Sequence, residues 1–195
     1  MRLTKMLSYL LLAGALPALQ LSAHHARDFS GDQPAMSKQF RGKRVNLKRD
    51  ITIEATPDAI FPLLCPVREG EWADGWVGKA IFSESGLAEV NGVFASEHVG
   101  EDDTIWFVTK RDATTHEIEF VYFVPKIQVV RLLMRVAPVS ATKSTLSVDY
   151  IRTGISEAGN EFIDNSGPHF EKMMADWEAS MNHYLKTGTL LKDRH

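Results

Sequence analysis

The sequence predicts an α+β fold: a curved antiparallel sheet of about seven strands wrapped round a long C-terminal helix, with two short helices after the first strand. Three observations predict it. A β-like segment runs into a threonine–proline helix start; a series of further β-like segments follows with only short, turn-forming connections; and one long amphipathic helical pattern closes the chain. That helix must bury its apolar stripe, and the sheet is the only large surface available to receive it.

The chain has 195 residues, 44% of them apolar, which suits one ordinary domain with a sizeable core. It opens on the charged stretch Met1-Arg2-Leu3-Thr4-Lys5, followed by the apolar run from Met6 to Leu19 and the small residues Ser22 and Ala23. This is the order of a secretory signal, so residues 1–23 are expected to be a signal peptide, with cleavage after Ala18 as an alternative. Ser8, Gly14 and Pro17 interrupt the apolar run, and a membrane span needs about 20 apolar residues. The expected location is therefore the periplasm or the medium, the alternative being an uncleaved signal that anchors the chain to the inner membrane. Cys65 is the single cysteine, so no intrachain disulfide can form and the fold must rest on its core.

Residues 24–44 are polar, contain Gly31, Pro34 and Gly42, and read as a flexible leader. Their bases Arg27, Lys38, Arg41, Lys43 and Arg44 suit either transient contact with an anionic membrane or simple solvation. The net charge of −3 gives no footprint for nucleic-acid binding.

The domain is expected over residues 45–188, with 189–195 as a tail. Val45 to Glu54 has alternating β-branched residues and ends at Thr56-Pro57-Asp58, a helix start. The helix from Pro57 to Leu64 is cut by Pro66, and Val67 to Trp76, charged and aromatic with Gly70 and Gly75, reads as a loop or broken helix. Strands are predicted at Gly78 to Glu84, Gly92 to Val99, Thr104 to Lys110, Glu117 to Val124, Val129 to Val136 and Ser144 to Thr153. Alternation puts Ile118, Phe120, Tyr122 and Val124 on one face, with Val130, Leu132, Met134 and Val136 and then Leu146, Val148 and Tyr150, while Arg131 and Arg135 point away. Phe170, Met173, Met174, Trp177, Met181, Tyr184 and Leu185 form the stripe of the last helix, with Pro168 in its first turn and Gly188 at its stop.

A straight helix and a curved sheet do not match along their whole length, which leaves a gap for aromatic and methionine side chains to fill or to line. The candidate ligand-binding residues are Trp72, Trp76, Phe94, His98, Trp106, Phe120, Tyr122, Met134, Tyr150, Met173, Met174, Trp177 and Met181. Trp72 and Trp76 belong to a loop expected near the mouth, where they would meet a ring-containing ligand or close the open end of the sheet.

Of the reactive groups, Cys65 ends an apolar helix with no base beside it and reads as a buried structural thiol. Glu69, Glu71, Glu97 and His98 are the acid–base candidates. If Phe94 points inward, Ser96 and His98 do too and Glu97 stays outside. His24 and His25 lack the further ligands a zinc site needs, and His183 lies off the apolar stripe. No catalytic residue, metal site or cofactor is assigned, and protein partners are left unspecified.

The run Ile53-Glu54-Ala55-Thr56-Pro57-Asp58-Ala59-Ile60-Phe61-Pro62-Leu63-Leu64-Cys65-Pro66-Val67-Arg68-Glu69, then Trp72 and Trp76, resembles the SRPBCC superfamily of START-type lipid-binding domains, Bet v 1-like plant allergens and polyketide cyclases. The ending from Trp177 to Gly188, with Asn182-His183-Tyr184-Leu185-Lys186-Thr187-Gly188, looks like a bacterial subgroup of it. The resemblance implies a helix-grip fold with a ligand tunnel under the long helix, and hence binding or transport of a hydrophobic small molecule such as a lipid or polyketide-like compound. Two alternatives stand beside this: a cyclase or dehydratase using His98 with a glutamate or Tyr150, and an interaction module with a filled core.

Overall fold

Strand β1, Arg44–Ile53, pairs along its whole length with the last strand of the sheet, so the two ends of the strand region meet. A computed structural model of the chain describes residues 39–97 and 103–192. The expected signal peptide, the leader up to residue 38, His24, His25 and His98 lie outside the described residues.

After β1, helix α1 (Pro57–Ile60) passes directly into a 3₁₀ turn at Phe61–Leu64, and a second 3₁₀ turn follows at Glu69–Glu71. Then come β2 (Gly78–Phe82), β3 (Val93–Ser96), β4 (Thr104–Asp112), β5 (Glu117–Val124), β6 (Gln128–Ser140) and β7 (Lys143–Gly154). The sheet runs β1-β7-β6-β5-β4-β3-β2 with every pair antiparallel. Apart from the jump that brings β1 beside β7, it is a meander, as short connections between strands dictate.

The alternation read from sequence sets the faces. Ile118, Phe120, Tyr122 and Val124 of β5, Val130, Leu132, Met134 and Val136 of β6, and Leu146, Val148 and Tyr150 of β7 are all buried on the inner face. Arg131 and Arg135 point out and pair with Glu119 and Glu117.

The C-terminal region departs from the expected single helix. Helix α2, Glu157–Asp164, precedes α3, Ser166–Thr187. Ser156 caps α2 by accepting from the Gly159 N–H at 2.9 Å. Gly159 and Asn160 are poor helix formers, which hid this short element from a periodicity search. Both residues serve packing. A Cβ on Gly159 would stand 1.9 Å from the Ile127 carbonyl oxygen, so only glycine lets α2 approach the β5–β6 turn this closely. Asn160 accepts from the Lys43 N–H at 2.6 Å and donates to the Arg41 carbonyl at 3.1 Å, which ties the residues just before β1 to α2.

α3 lies across the inner face. Phe170, Met174 and Met181 are buried, and Met173, Trp177, Tyr184 and Leu185 are half-buried against the same core. Its far end is fixed to β1 by Asn182, which accepts from the Glu54 N–H at 2.8 Å and donates to the Thr52 carbonyl at 2.9 Å. Pro168 stands in the first turn, and Gly188 ends the helix in the left-handed region with φ of 70°. No helix among the described residues is long and apolar enough to cross a membrane.

Candidate functional site

The helix and sheet do not close on each other completely. A cavity of about 640 Å³ lies between the inner face of β4 to β7, the loop after the second 3₁₀ turn and the first half of α3. Its size is in the range of small-molecule sites, roughly 300–1,000 Å³.

Aromatic rings form a connected part of its wall. Trp106 of β4 and Tyr122 of β5 are register partners, with ring centroids 4.1 Å apart. From Trp106 edge-to-face contacts run to Trp76 at 5.7 Å and to Phe120 at 5.8 Å. From Tyr122 they continue to Tyr150 at 6.4 Å and on to Phe170 at 5.7 Å. On the other side Trp72 meets Trp177 edge-on at 5.5 Å. Such pairs fix ring orientation as well as burying area.

Of the residues singled out from sequence, Trp72, Trp76, Trp106, Tyr122, Tyr150, Met173 and Trp177 line this cavity. Phe94, Phe120, Met134, Met174 and Met181 are buried in the packed core beside it and are not part of its lining. They share the inward face but sit where helix and sheet are in contact, and position on a face does not separate lining from filling. Trp72 is not a mouth residue: it is fully buried, and its indole N–H donates to the Leu63 carbonyl at 2.9 Å. Trp76 donates to the Pro66 carbonyl at 2.7 Å, so Trp72 is held by the 3₁₀ turn at Phe61–Leu64 and Trp76 by the residue two places after it. The mouth is marked instead by the exposed lining residues Asp74, Gly75, His169, Lys172 and Asp176.

The acid–base candidates separate sharply. Glu97 is exposed and pairs with Lys79 at 3.0 Å. Glu71 accepts two hydrogen bonds from Arg68, at 2.7 and 2.9 Å, and one from the Tyr184 hydroxyl at 2.6 Å. The Arg68 hydrogen bonds chiefly hold its carboxyl below the usual range, and the trio clamps the loop to α3. Glu69 is different. It lines the cavity at 5% exposure, with no side-chain hydrogen bond or ion pair among the described residues. Burial pushes its carboxyl up to about 8, so it holds its proton at neutral pH.

Burial likewise raises Tyr122 to about 12 and Tyr150 well above the usual phenol value; in both, Arg152 opposes the rise and Glu69 adds to it. Neither hydroxyl gives or accepts a hydrogen bond within the described residues, and both groups line the cavity. Cys65 is buried and its thiol is raised by that burial, while its Sγ accepts from the Ala88 N–H at 3.0 Å. It is a packing group. His183 lies outside the lining and approaches Thr189 Oγ1 at 3.3 Å.

Several lining residues were not foreseen, and two of them, Gln128 and Arg152, lie on strands whose inward faces were read correctly. The signal was present, because continuing the inward alternation of β7 from Tyr150 reaches Arg152, and stepping back from Val130 on β6 reaches Gln128.

No protein-family model matches the chain, and no curated protein matches its sequence. Solved structures do. Norcoclaurine synthase from Thalictrum flavum, in complex with dopamine and hydroxybenzaldehyde, is 10% identical with a TM-score of 0.55, over 80% of this chain and 97% of that one. The di-domain ARO/CYC protein BexL is 15% identical with a TM-score of 0.57, over 73% of this chain and 46% of its own. DynU16, from the dynemicin biosynthetic locus, is 14% identical with a TM-score of 0.53, over 74% of this chain and 48% of its own. The chain thus spans about half the length of the last two. At these identities the likeness is one of fold.

Proposed function

We propose that this chain, which has the Bet v 1-like helix-grip fold of the SRPBCC superfamily, binds a hydrophobic, ring-containing small molecule in the cavity beneath α3. The observation that carries the reading is the void itself, about 640 Å³, with Trp72, Trp76, Trp106, Tyr122, Tyr150 and Trp177 among the residues that line it. Apolar burial drives such binding, at roughly 25 cal/mol per Å² before ordering costs. The ring compounds held by norcoclaurine synthase support the same ligand class. Binding outside the cytoplasm is part of the same proposal, supported by the reading of residues 1–23 as an export signal, and cell fractionation tests it.

Native mass spectrometry of protein purified without detergent is expected to show co-purifying apolar material. Ring compounds added to the emptied protein are expected to quench tryptophan fluorescence saturably. A protein that carries nothing and responds to no member of an apolar panel would sink the reading.

One observation favours a second reading, acid–base catalysis on a bound ligand. Glu69 keeps a proton near neutral pH in the cavity, the state a general acid requires. Turnover of the natural ligand would then fall at least a hundredfold in Glu69→Gln with binding retained. Equal rates in the two proteins leave the carboxyl no catalytic part.

A further inference from the structure

The cavity floor is not uniformly apolar. Arg152 projects from β7 on the same face as Tyr150 and is 4% exposed, yet no carboxylate lies within ion-pair distance of it among the described residues. Its guanidinium carbon stacks 4.8 Å from the Tyr150 ring centroid and 5.9 Å from that of Phe162, and its Nε has no hydrogen-bond partner. Gln128, also 4% exposed, lines the same cavity with its Oε1 unpartnered.

Strand register brings these two groups together. Gln128 pairs with Gly154, and Arg152 stands two residues before Gly154 on β7, so the two side chains are diagonal neighbours with Cα atoms about 7–8 Å apart. Val130, between them in the ladder, pairs with both Arg152 and Tyr122, which puts Arg152 in the same row as the Tyr122–Trp106 pair. A cation and an amide therefore sit beside the aromatic wall rather than apart from it.

A buried guanidinium without an anion is costly, and ring faces offset only part of that cost. Among the described residues nothing else lining the cavity supplies the missing charge. Burial keeps Glu69 protonated at neutral pH, and it forms no ion pair among the described residues. At the mouth, Asp176 is paired with Lys172 at 2.6 Å. The other acids described at the mouth, Asp74 and Glu97, are exposed, and Glu97 is held by Lys79. The planar fork of arginine fits a carboxylate with two parallel hydrogen bonds, a match that neutral groups do not reproduce.

We infer that the cavity takes a ring-bearing organic acid, its carboxylate on Arg152 within reach of Gln128 and its rings between Trp106, Tyr122 and Trp177. This rests on the ligand-binding reading above and narrows it to one chemical class. Arg152 is then the specificity-determining residue, and the aromatic wall supplies affinity common to charged and neutral ligands.

Isothermal titration near pH 6.5 with naphthoate and its neutral isostere naphthamide tests the inference. Wild-type protein is expected to bind naphthoate at least tenfold more tightly. Arg152→Met, which replaces the cation by an apolar chain of similar length, is expected to lose that preference while binding naphthamide as before. Its urea midpoint should be equal or higher, because a buried unpaired charge has been removed. Equal binding of both probes by the wild type overturns the carboxylate inference and leaves the cavity reading intact, whereas no binding of either overturns both. Dodecanoate separates a ring acid from a fatty acid: weaker binding than naphthoate is expected, and tighter binding overturns the ring-bearing assignment. Should Arg152→Met fail to fold, the wild-type ratio and a Gln128→Leu variant, expected to weaken naphthoate alone, decide the matter.

Discussion

Trp72→Ala is expected to destabilise the domain by about 3–5 kcal/mol, the usual cost of emptying a buried tryptophan site. Three contributions combine at this ring. It is fully buried, its N–H satisfies the Leu63 carbonyl at 2.9 Å, and it meets Trp177 edge-on at 5.5 Å. Removing it enlarges the cavity rather than letting the wall collapse, since Pro66 and the Arg68–Glu71–Tyr184 clamp fix the loop on either side. The Leu63 carbonyl also loses its donor inside the protein, which adds a desolvation cost. Trp177→Ala removes a half-buried ring and is expected to cost less, and the double variant should reveal a coupling of about 0.5–1.5 kcal/mol from the ring pair. Urea titration of the four proteins measures all three quantities. A loss below about 1 kcal/mol for Trp72→Ala would mean that the ring is not part of the wall.

The second large effect is the fall in stability with rising pH that Glu69 should contribute. Burial raises its carboxyl from 4.5 to about 8, so folding takes up a proton whenever the pH lies between those values. The stabilisation is complete below about pH 4.5 and is lost as the pH rises through about 8, at a limiting slope of about 1.4 kcal/mol per pH unit. Carboxylates held low by partners, such as Glu71 and Glu117, act in the opposite sense at lower pH, where they lose stability on protonation. The difference between wild type and Glu69→Gln from about pH 5 to 8 therefore reports the Glu69 contribution. Glu69→Gln is expected to flatten the profile there, matching the wild type near pH 5 and exceeding it above pH 8 by on the order of 3–5 kcal/mol. Unfolding titrations across this range, without added ligand, provide the check. Parallel profiles for the two proteins would show that the carboxyl is solvated or paired in solution.

Both effects arise in a loop that periodicity describes poorly. Strands were legible because the inward sets of β5, β6 and β7 repeat every second residue, and α3 because its stripe repeats at helical spacing. α2 was not legible, since Gly159 and Asn160 are chosen for close approach and for tying down Arg41 and Lys43, not for helix propensity. The cavity was legible as a consequence of the architecture, while its exact lining was not. Phe120 and Tyr122 stand on one face two residues apart, yet only the tyrosine faces the void, and that depends on where α3 crosses the strands. Trp72 and Trp76 were rightly seen as ring-bearing loop residues. Their hydrogen bonds to Leu63 and Pro66 turn the loop inward, which composition does not reveal. Arg152 escaped notice because an arginine at the end of an inward row is normally taken to turn outward, and this one is instead held between Tyr150 and Phe162.

The most direct measurement is a crystal structure of the protein as purified, and again after soaking with naphthoate. The account predicts density for a flat molecule under α3, bounded by Trp106, Tyr122 and Trp177, with a polar end at Arg152. Side chains of α3 packed down onto β5 and β6 with no void between them, or a probe bound only on the outer face of the sheet, would contradict it.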